Sequence, residues 1–241
     1  RWKDTRTNGV FAAAIAGKSR PFLRDAFQNG RSVVDFGSFS YPSFDIVGHG
    51  GCLLWNQACT TLREAFLVFS DTPDCTDIPA NVNWSFLLGG ASTYHFHRGL
   101  KGALFHALAS SSLRDGGKWI DGSMVPSYST LIPEGFHVIN LAPTSCVTAA
   151  AFAYDRNSSF GGQRLAEVQI YDSVLPDTVR QGVRSHLMGK WKDVARSFGG
   201  LRAASGSVLA FEDGVLDVGS LEGGGSVSAT RLSASNISPG D

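Results

Sequence analysis

The stretch Leu165-Ala166-Glu167-Val168-Gln169-Ile170-Tyr171-Asp172 decides how this 241-residue chain is read. Ala166, Val168 and Ile170 alternate with Glu167, Gln169 and Tyr171, and this period of two predicts a strand with one face in a core and one face outward. Just beyond it, Val179, Val183, Leu187 and Trp191 recur at every fourth position with Met188 beside them, which predicts a helix over 177–191. Pro176 and Asp177 suit the start of that helix, where the macrodipole favours a carboxylate. Arg180 and Arg184 are expected on its wet side, and Gly182 is its weak point.

Working back toward the N-terminus, apolar runs at 33–36, 65–69, 84–88, 93–97, 118–120, 136–141 and 147–154 read as further strands separated by turn chemistry. Ser70-Asp71-Thr72-Pro73 and Gly89-Gly90 close two of them. Asp121-Gly122 after Ile120 favours positive φ and predicts a tight hairpin. Short strands at this spacing predict an all-β, antiparallel sandwich with one C-terminal helix. After Trp191 the composition changes to Gly, Ser and Ala with short β runs at 207–211 and 215–218, which reads as small repeating β units. The expected division is therefore a sandwich over 1–192 and a Gly/Ser-rich, stalk-like β-repeat segment over 193–241.

Composition excludes several classes. Lys+Arg (21) balance Asp+Glu (21), and no basic block occurs, which argues against a nucleic-acid partner held by charge. No apolar stretch approaches the roughly 18–20 residues of a membrane-inserted helix. The opening Arg1-Trp2-Lys3-Asp4 does not read as a signal peptide, and the chain is expected to be a piece of a longer protein. Cys52, Cys59, Cys75 and Cys146 allow at most two disulfides in three connectivities, without the C-x-x-C spacing of a zinc or redox site. Cys146, beside the apolar run 147–152, reads as a buried thiol.

In their order along residues 2–191, several motifs resemble laminin-G-like jelly-roll domains of the concanavalin A-like lectin/glucanase superfamily. They are Trp2-Lys3-Asp4, Arg20-Pro21 with Val33-Val34-Asp35-Phe36, Trp119-Ile120-Asp121-Gly122, Asp155-Arg156 through Gly161-Gly162, the Ala166-Glu167-Val168 strand ending on Tyr171-Asp172, and the terminal Lys190-Trp191. The tail, with Leu216-Asp217-Val218-Gly219-Ser220-Leu221 and Ile237-Ser238-Pro239-Gly240-Asp241, is similar to autotransporter-associated β-strand repeats of large secreted or surface proteins of bacteria. The resemblance implies a jelly-roll sandwich, an extracellular or cell-surface location and other domains of the same large protein as neighbours, and it favours paired cysteines.

It also raises glycan chemistry. Glucanases of this fold carry a Glu-x-Asp-x-x-Glu strand, whose alternation aims the carboxyls into one cleft. None of Glu64, Glu134, Glu167, Glu212 and Glu222 begins such a motif, and Glu167 and Asp172 would point to opposite faces. The expected function is therefore non-catalytic carbohydrate binding. The alternatives are a structural or adhesin spacer without a small ligand, and a glycoside hydrolase or lyase with an atypical carboxylate pair.

Sugar sites combine an aromatic platform with planar polar side chains. The candidate set is Trp119 at the hairpin, Asp121, Tyr94, Trp84, and His95 and His97 on one strand face with Arg98 next to them in sequence; Trp55 and Tyr128 are further aromatics. His95-x-His97, with His106 or His137 as a third ligand, is the alternative transition-metal reading. Calcium, the ion the family's loops accept, has oxygen-rich candidates in Asp71, Asp74 and Asp77 and in Asp155 and Asn157.

Overall fold

A computed structural model describes residues 11–37, 50–72, 87–90, 95–98, 102–154 and 161–192 in full. It also gives the backbone of strands at 2–3, 155, 158–159, 196–198, 201–202, 208–218, 221–223, 226–234 and 237–239. Strands β1 (Trp2–Lys3), β2 (Phe11–Ala13), β3 (Phe22–Gln28), β4 (Arg31–Asp35), β5 (Leu53–Leu62) and β6 (Glu64–Asp71) lead to the one-turn helix α1 (Ser111–Arg114). Next come β7 (Gly117–Ile120), β8 (Ser123–Met124), β9 (His137–Ala142), β10 (Val147–Phe152), β11 (Tyr154–Asp155), β12 (Ser158–Ser159) and β13 (Gln163–Tyr171). The 15-residue helix α2 (Asp177–Trp191) follows. The remaining strands are β14 (Arg196–Phe198), β15 (Leu201–Arg202), β16 (Val208–Val218), β17 (Leu221–Gly223), β18 (Ser226–Ala234) and β19 (Ile237–Pro239).

Two antiparallel sheets form the sandwich. One runs β1-β2-β5-β10 and the other β3-β4-β13-β6-β9-β7-β8. The main core lies between them, with Leu53, Leu62, Ala149 and Phe152 from the first sheet against Leu67, Phe69, Ile139, Leu141 and Leu165 from the second. Phe152 anchors this core through ring contacts with Trp55 (5.1 Å between centroids) and Phe36 (6.3 Å). Burial of these side chains supplies the main driving force, each on the order of 1.5–3 kcal/mol.

A second apolar cluster lies on the other face of the seven-stranded sheet. Here Phe66, Val68, Phe136 and Val138 meet Leu187 and Trp191 of α2. The strand read at 165–172 is central, pairing with β6 along its length and with β4 at its start. A bulge between Leu165 and Glu167 alters its alternation. Val168 and Ile170 still pack on the main core, but Ala166 joins the helix-side cluster with Tyr171.

Glu167 explains why this strand and the end of α2 belong together. Its Oε2 accepts from the Trp191 indole N–H at 2.6 Å and pairs with Lys190 at 3.0 Å. Burial raises the pKa of this carboxyl, but hydrogen bonds from Trp191, Gln169 and Lys190 outweigh it and the net direction is downward.

Three expectations need correction. Cys146 is exposed and the buried thiol is Cys52, whose pKa burial pushes up to about 11; Cys52, Cys59 and Cys146 are all unbridged. Arg180 is buried, not wet, because it neutralises Glu64 under the helix. The β run at 215–218 is not separate from its predecessor: β16 is one strand spanning both, with an irregularity between Phe211 and Val215.

In the C-terminal region the pairing is parallel, in two sheets ordered β14-β16-β18 and β15-β17-β19. Arg196 pairs with Leu216 and Leu201 with Leu221, both 20 residues apart. Leu216 pairs with Leu232 and Leu221 with Ile237, both 16 apart. Each pass of the chain thus lays its strands directly beside those of the previous pass.

Candidate functional site

The predicted hairpin forms between β7 and β8. Asp121 (φ 50°) and Gly122 (φ 84°) both take the left-handed conformation, the geometry a two-residue hairpin turn with the sheet's own twist demands. Asp121 then serves as an anchor: Oδ1 accepts from the Val138 N–H (3.0 Å), while Oδ2 meets His137 Nδ1 (2.7 Å) and the Lys192 ammonium. Burial raises its pKa, but the bonds from His137, Lys192 and Val138 prevail and bring it down to about 2. His137 Nε2 also contacts the Glu134 carbonyl at 3.0 Å, so this histidine lies with Asp121 and not with the other three.

Trp119 lies on the α2 side of β7. The Arg180 and Arg184 guanidinium carbons stand 5.0 and 5.2 Å from its ring centroid, and its benzo edge lies so close over Gly117 that any Cβ there would collide with it. Its ring is a packing element held by cations, not the bare platform expected of a hairpin-tip tryptophan. Arg180 is fixed in turn by Glu64 through Nε–Oε1 (2.6 Å) and Nη2–Oε2 (3.1 Å), by the Leu175 carbonyl, and by Asp177. Glu64 is fully buried and also accepts from Asn140 Nδ2 (3.0 Å) and the Leu175 N–H (2.9 Å). Arg180's pKa is raised, foremost by its bond to Glu64; burial and Arg180 itself lower that of Arg184, whose Nη1 is buried without a partner.

His97 and Arg98 are each 1% exposed. Arg98 makes a two-pronged ion pair with Asp71, with Nη2–Oδ2 at 3.0 Å, and lies 5.2 Å over Phe69. These side chains belong to the interior, so the expected open strand face does not form; His95 and Phe96 lie in a turn. His97 stacks on His106 at 4.7 Å between centroids, so one of the two proposed third histidines does come close. His95 is half-buried and its pKa is lowered by burial. Among the described residues no three His, Cys, Asp or Glu side chains converge on a common point. Of the calcium candidates, Asp71 has both oxygens on Arg98 and does not fit a cation. Asp74, Asp77 and Asn157, and the Asp155 side chain, lie outside the described residues, as do Tyr94 and Trp84.

Sequence reasoning missed an open groove beside β7 and β8. About 550 Å³ in volume, it is lined by residues 114–118 and 124–128. Gly116 lets the chain leave α1 and enter β7 against the Ala142 carbonyl, where a side chain would not fit. The facing loop is pinned by Val125 N–H to Lys118 O (2.9 Å) and Phe105 N–H to Tyr128 O (2.7 Å), and by Ser127 interactions with Ser129 and Thr130.

The groove wall is mixed. Met124 is 68% exposed, and Val125 and Tyr128 lean on the main core. Arg114 lies 5.5 Å over the Tyr128 ring and donates through Nε to the Ala109 carbonyl (2.9 Å), and among the described residues its Nη groups have no hydrogen-bond partner. Lys118 lies at the floor, only 4% exposed, and donates to the Arg114 and Gly116 carbonyls (2.6 and 2.5 Å). Among the described residues no carboxylate is within ion-pair distance of it.

No known family, curated protein or solved structure matches this chain. The chemistry of the site must therefore be read from its residues. An apolar wall, a phenol, a guanidinium with open donors and a floor ammonium can hold a polar, ring-shaped ligand. Among the described residues no helix is long and apolar enough to cross a membrane.

Proposed function

We propose that the sandwich is a laminin-G-like jelly-roll module that binds carbohydrate without cleaving it, and that it belongs to a large secreted or surface protein. The observation that carries this reading is the groove beside β7. It joins the exposed side of Met124 and the Tyr128 phenol to planar and ammonium donors from Arg114 and Lys118, the mixture that sugar rings and their hydroxyls require. A non-catalytic role is supported by the occupation of the buried carboxylates Glu64 and Asp35 and the half-buried Glu167 and Asp121: Glu64 is held by Arg180, Asp35 by Arg24 and Arg164, Glu167 by Trp191, and Asp121 by His137 and Lys192. A hydrolytic pair needs two carboxyls aimed at one scissile bond.

The second reading, a spacer on a β-repeat stalk, is favoured by the parallel pairing of β16 with β18 and β17 with β19. Such stacking extends along one axis, as in repeat architectures. The two readings separate on a panel of soluble and insoluble polysaccharides probed with the purified chain. Binding that falls at least tenfold in Tyr128→Ala supports the lectin-like reading. Binding to no polysaccharide supports the spacer, and release of reducing sugar would overturn the non-catalytic reading.

A further inference from the structure

The position of Lys118 narrows the ligand, on the basis of the carbohydrate-binding reading above. An ammonium has three N–H donors, and here two are spent on the Arg114 and Gly116 carbonyls. Removing such a cation from water is costly unless it is paired and fully hydrogen-bonded. Burial lowers the pKa of Lys118, and the more distant Asp115 offsets this in part without forming an ion pair. Lys118 is nevertheless part of the groove lining, which holds two cations, Arg114 and Lys118, against one carboxylate, Asp115. Arg114 is the second of these cations, and among the described residues its Nη groups have no hydrogen-bond partner. A neutral sugar would leave the excess positive charge of the lining unmatched.

We infer that the groove takes a sugar bearing an anionic oxygen group, a carboxylate or a sulfate ester, which supplies the counter-charge missing at Lys118 and is gripped by the Arg114 fork. The Arg114 guanidinium matches two oxygens of such a group at once, and Lys118 completes it as a point charge. Met124, Val125 and Pro126 supply the apolar wall against which the ring lies. The overall neutrality of the chain is consistent with this site, because two local cations do not require a net charge.

The test uses the intact 241-residue chain and four polymers in EDTA: polygalacturonate, the same polymer after carboxyl reduction, dextran sulfate and unmodified dextran. We expect at least one acidic polymer to bind at least tenfold more tightly than its neutral counterpart. Preference for polygalacturonate assigns the carboxylate, and preference for dextran sulfate the sulfate ester. Lys118→Met and Arg114→Gln should each weaken that binding at least tenfold. Chemical reduction of the polymer leaves the protein untouched, so the outcome stands even if a variant folds poorly. Equal binding of charged and neutral partners, with Tyr128→Ala still abolishing both, would overturn the acidic-sugar inference and keep the carbohydrate reading. Binding of none of the four, nor of any polysaccharide in the wider panel, would overturn both.

Discussion

Lys118 and Trp119 are neighbours on β7 that point to opposite faces of the same sheet, and the two sides treat buried cations in opposite ways. Toward α2, Arg180 is matched by Glu64, Asp177 and the Leu175 carbonyl, and its charge is spread over the Trp119 ring. Toward the groove, Lys118 has two carbonyls and, among the described residues, no carboxylate in ion-pair contact, Asp115 acting on it only from a distance. Arg184, stacked on Trp119 with Nη1 unpartnered, and Asn140, whose Oδ1 is buried without a partner, are loose ends on the α2 side. The paired side holds the fold together, whereas the unpaired side keeps interaction capacity that the fold does not use.

The sharpest way to break this contrast is Glu64→Gln. It leaves Arg180 buried with only the exposed Asp177 as an acid partner, and should cost about 3–5 kcal/mol in urea unfolding. Asp121→Asn comes next, removing a carboxylate that accepts from His137, Lys192 and Val138. We expect a loss of about 1.5–3 kcal/mol at neutral pH. Because the folded pKa of Asp121, about 2, lies below its ordinary 3.8, its stabilisation is complete above 3.8 and is lost as pH falls toward 2. The variant should lack that part of the acid slope in melts taken between neutral pH and pH 2.

Gly117→Ala forces a methyl group into the Trp119 ring and should cost about 1–3 kcal/mol through overpacking. The smallest effect on stability is expected for Lys118→Met. Removing an unpaired buried charge is favourable, while freeing the Arg114 and Gly116 carbonyls is not, and the net change should lie within about 1 kcal/mol in the same assay. A loss as large as that of Glu64→Gln would mean that Lys118 is structural and would erase the contrast between the two faces.

Much of this architecture was legible where local periodicity and tertiary packing agree. The helix over 177–191 forms with those bounds, and Asp121-Gly122 makes the turn its composition demands. The bulge that turns Ala166 toward α2 has no local signal, since it is set by the register against β6. Strand β5 escaped notice because its partner β10 shifts register twice against it, and most of its residues between Leu53 and Leu62 are polar or partly exposed.

The site was less legible. His95 and His97 read as a polar strand face, with Arg98 beside them, because the partner of Arg98, Asp71, lies 27 residues away. Trp119 looked exposed because nothing near it in sequence shows that α2 returns over its ring. The groove depends on the stretch after α1 meeting the loop at 124–128, and its decisive residue is a lysine whose sequence neighbours say nothing about ion pairing. Neutral composition described the whole chain and could not show a local excess of unmatched donors.

The most direct test is a pair of calorimetric melts, of the natural chain and of Lys118→Met, each with and without saturating amounts of the acidic polymer that binds. The natural chain should melt several degrees higher with the polymer, since a ligand that binds only the folded state stabilises it by mass action. Lys118→Met should begin within a few degrees of the natural chain and remain unmoved by the polymer. Equal upward shifts in both proteins would contradict the account, because the anion would then be held somewhere other than at Lys118.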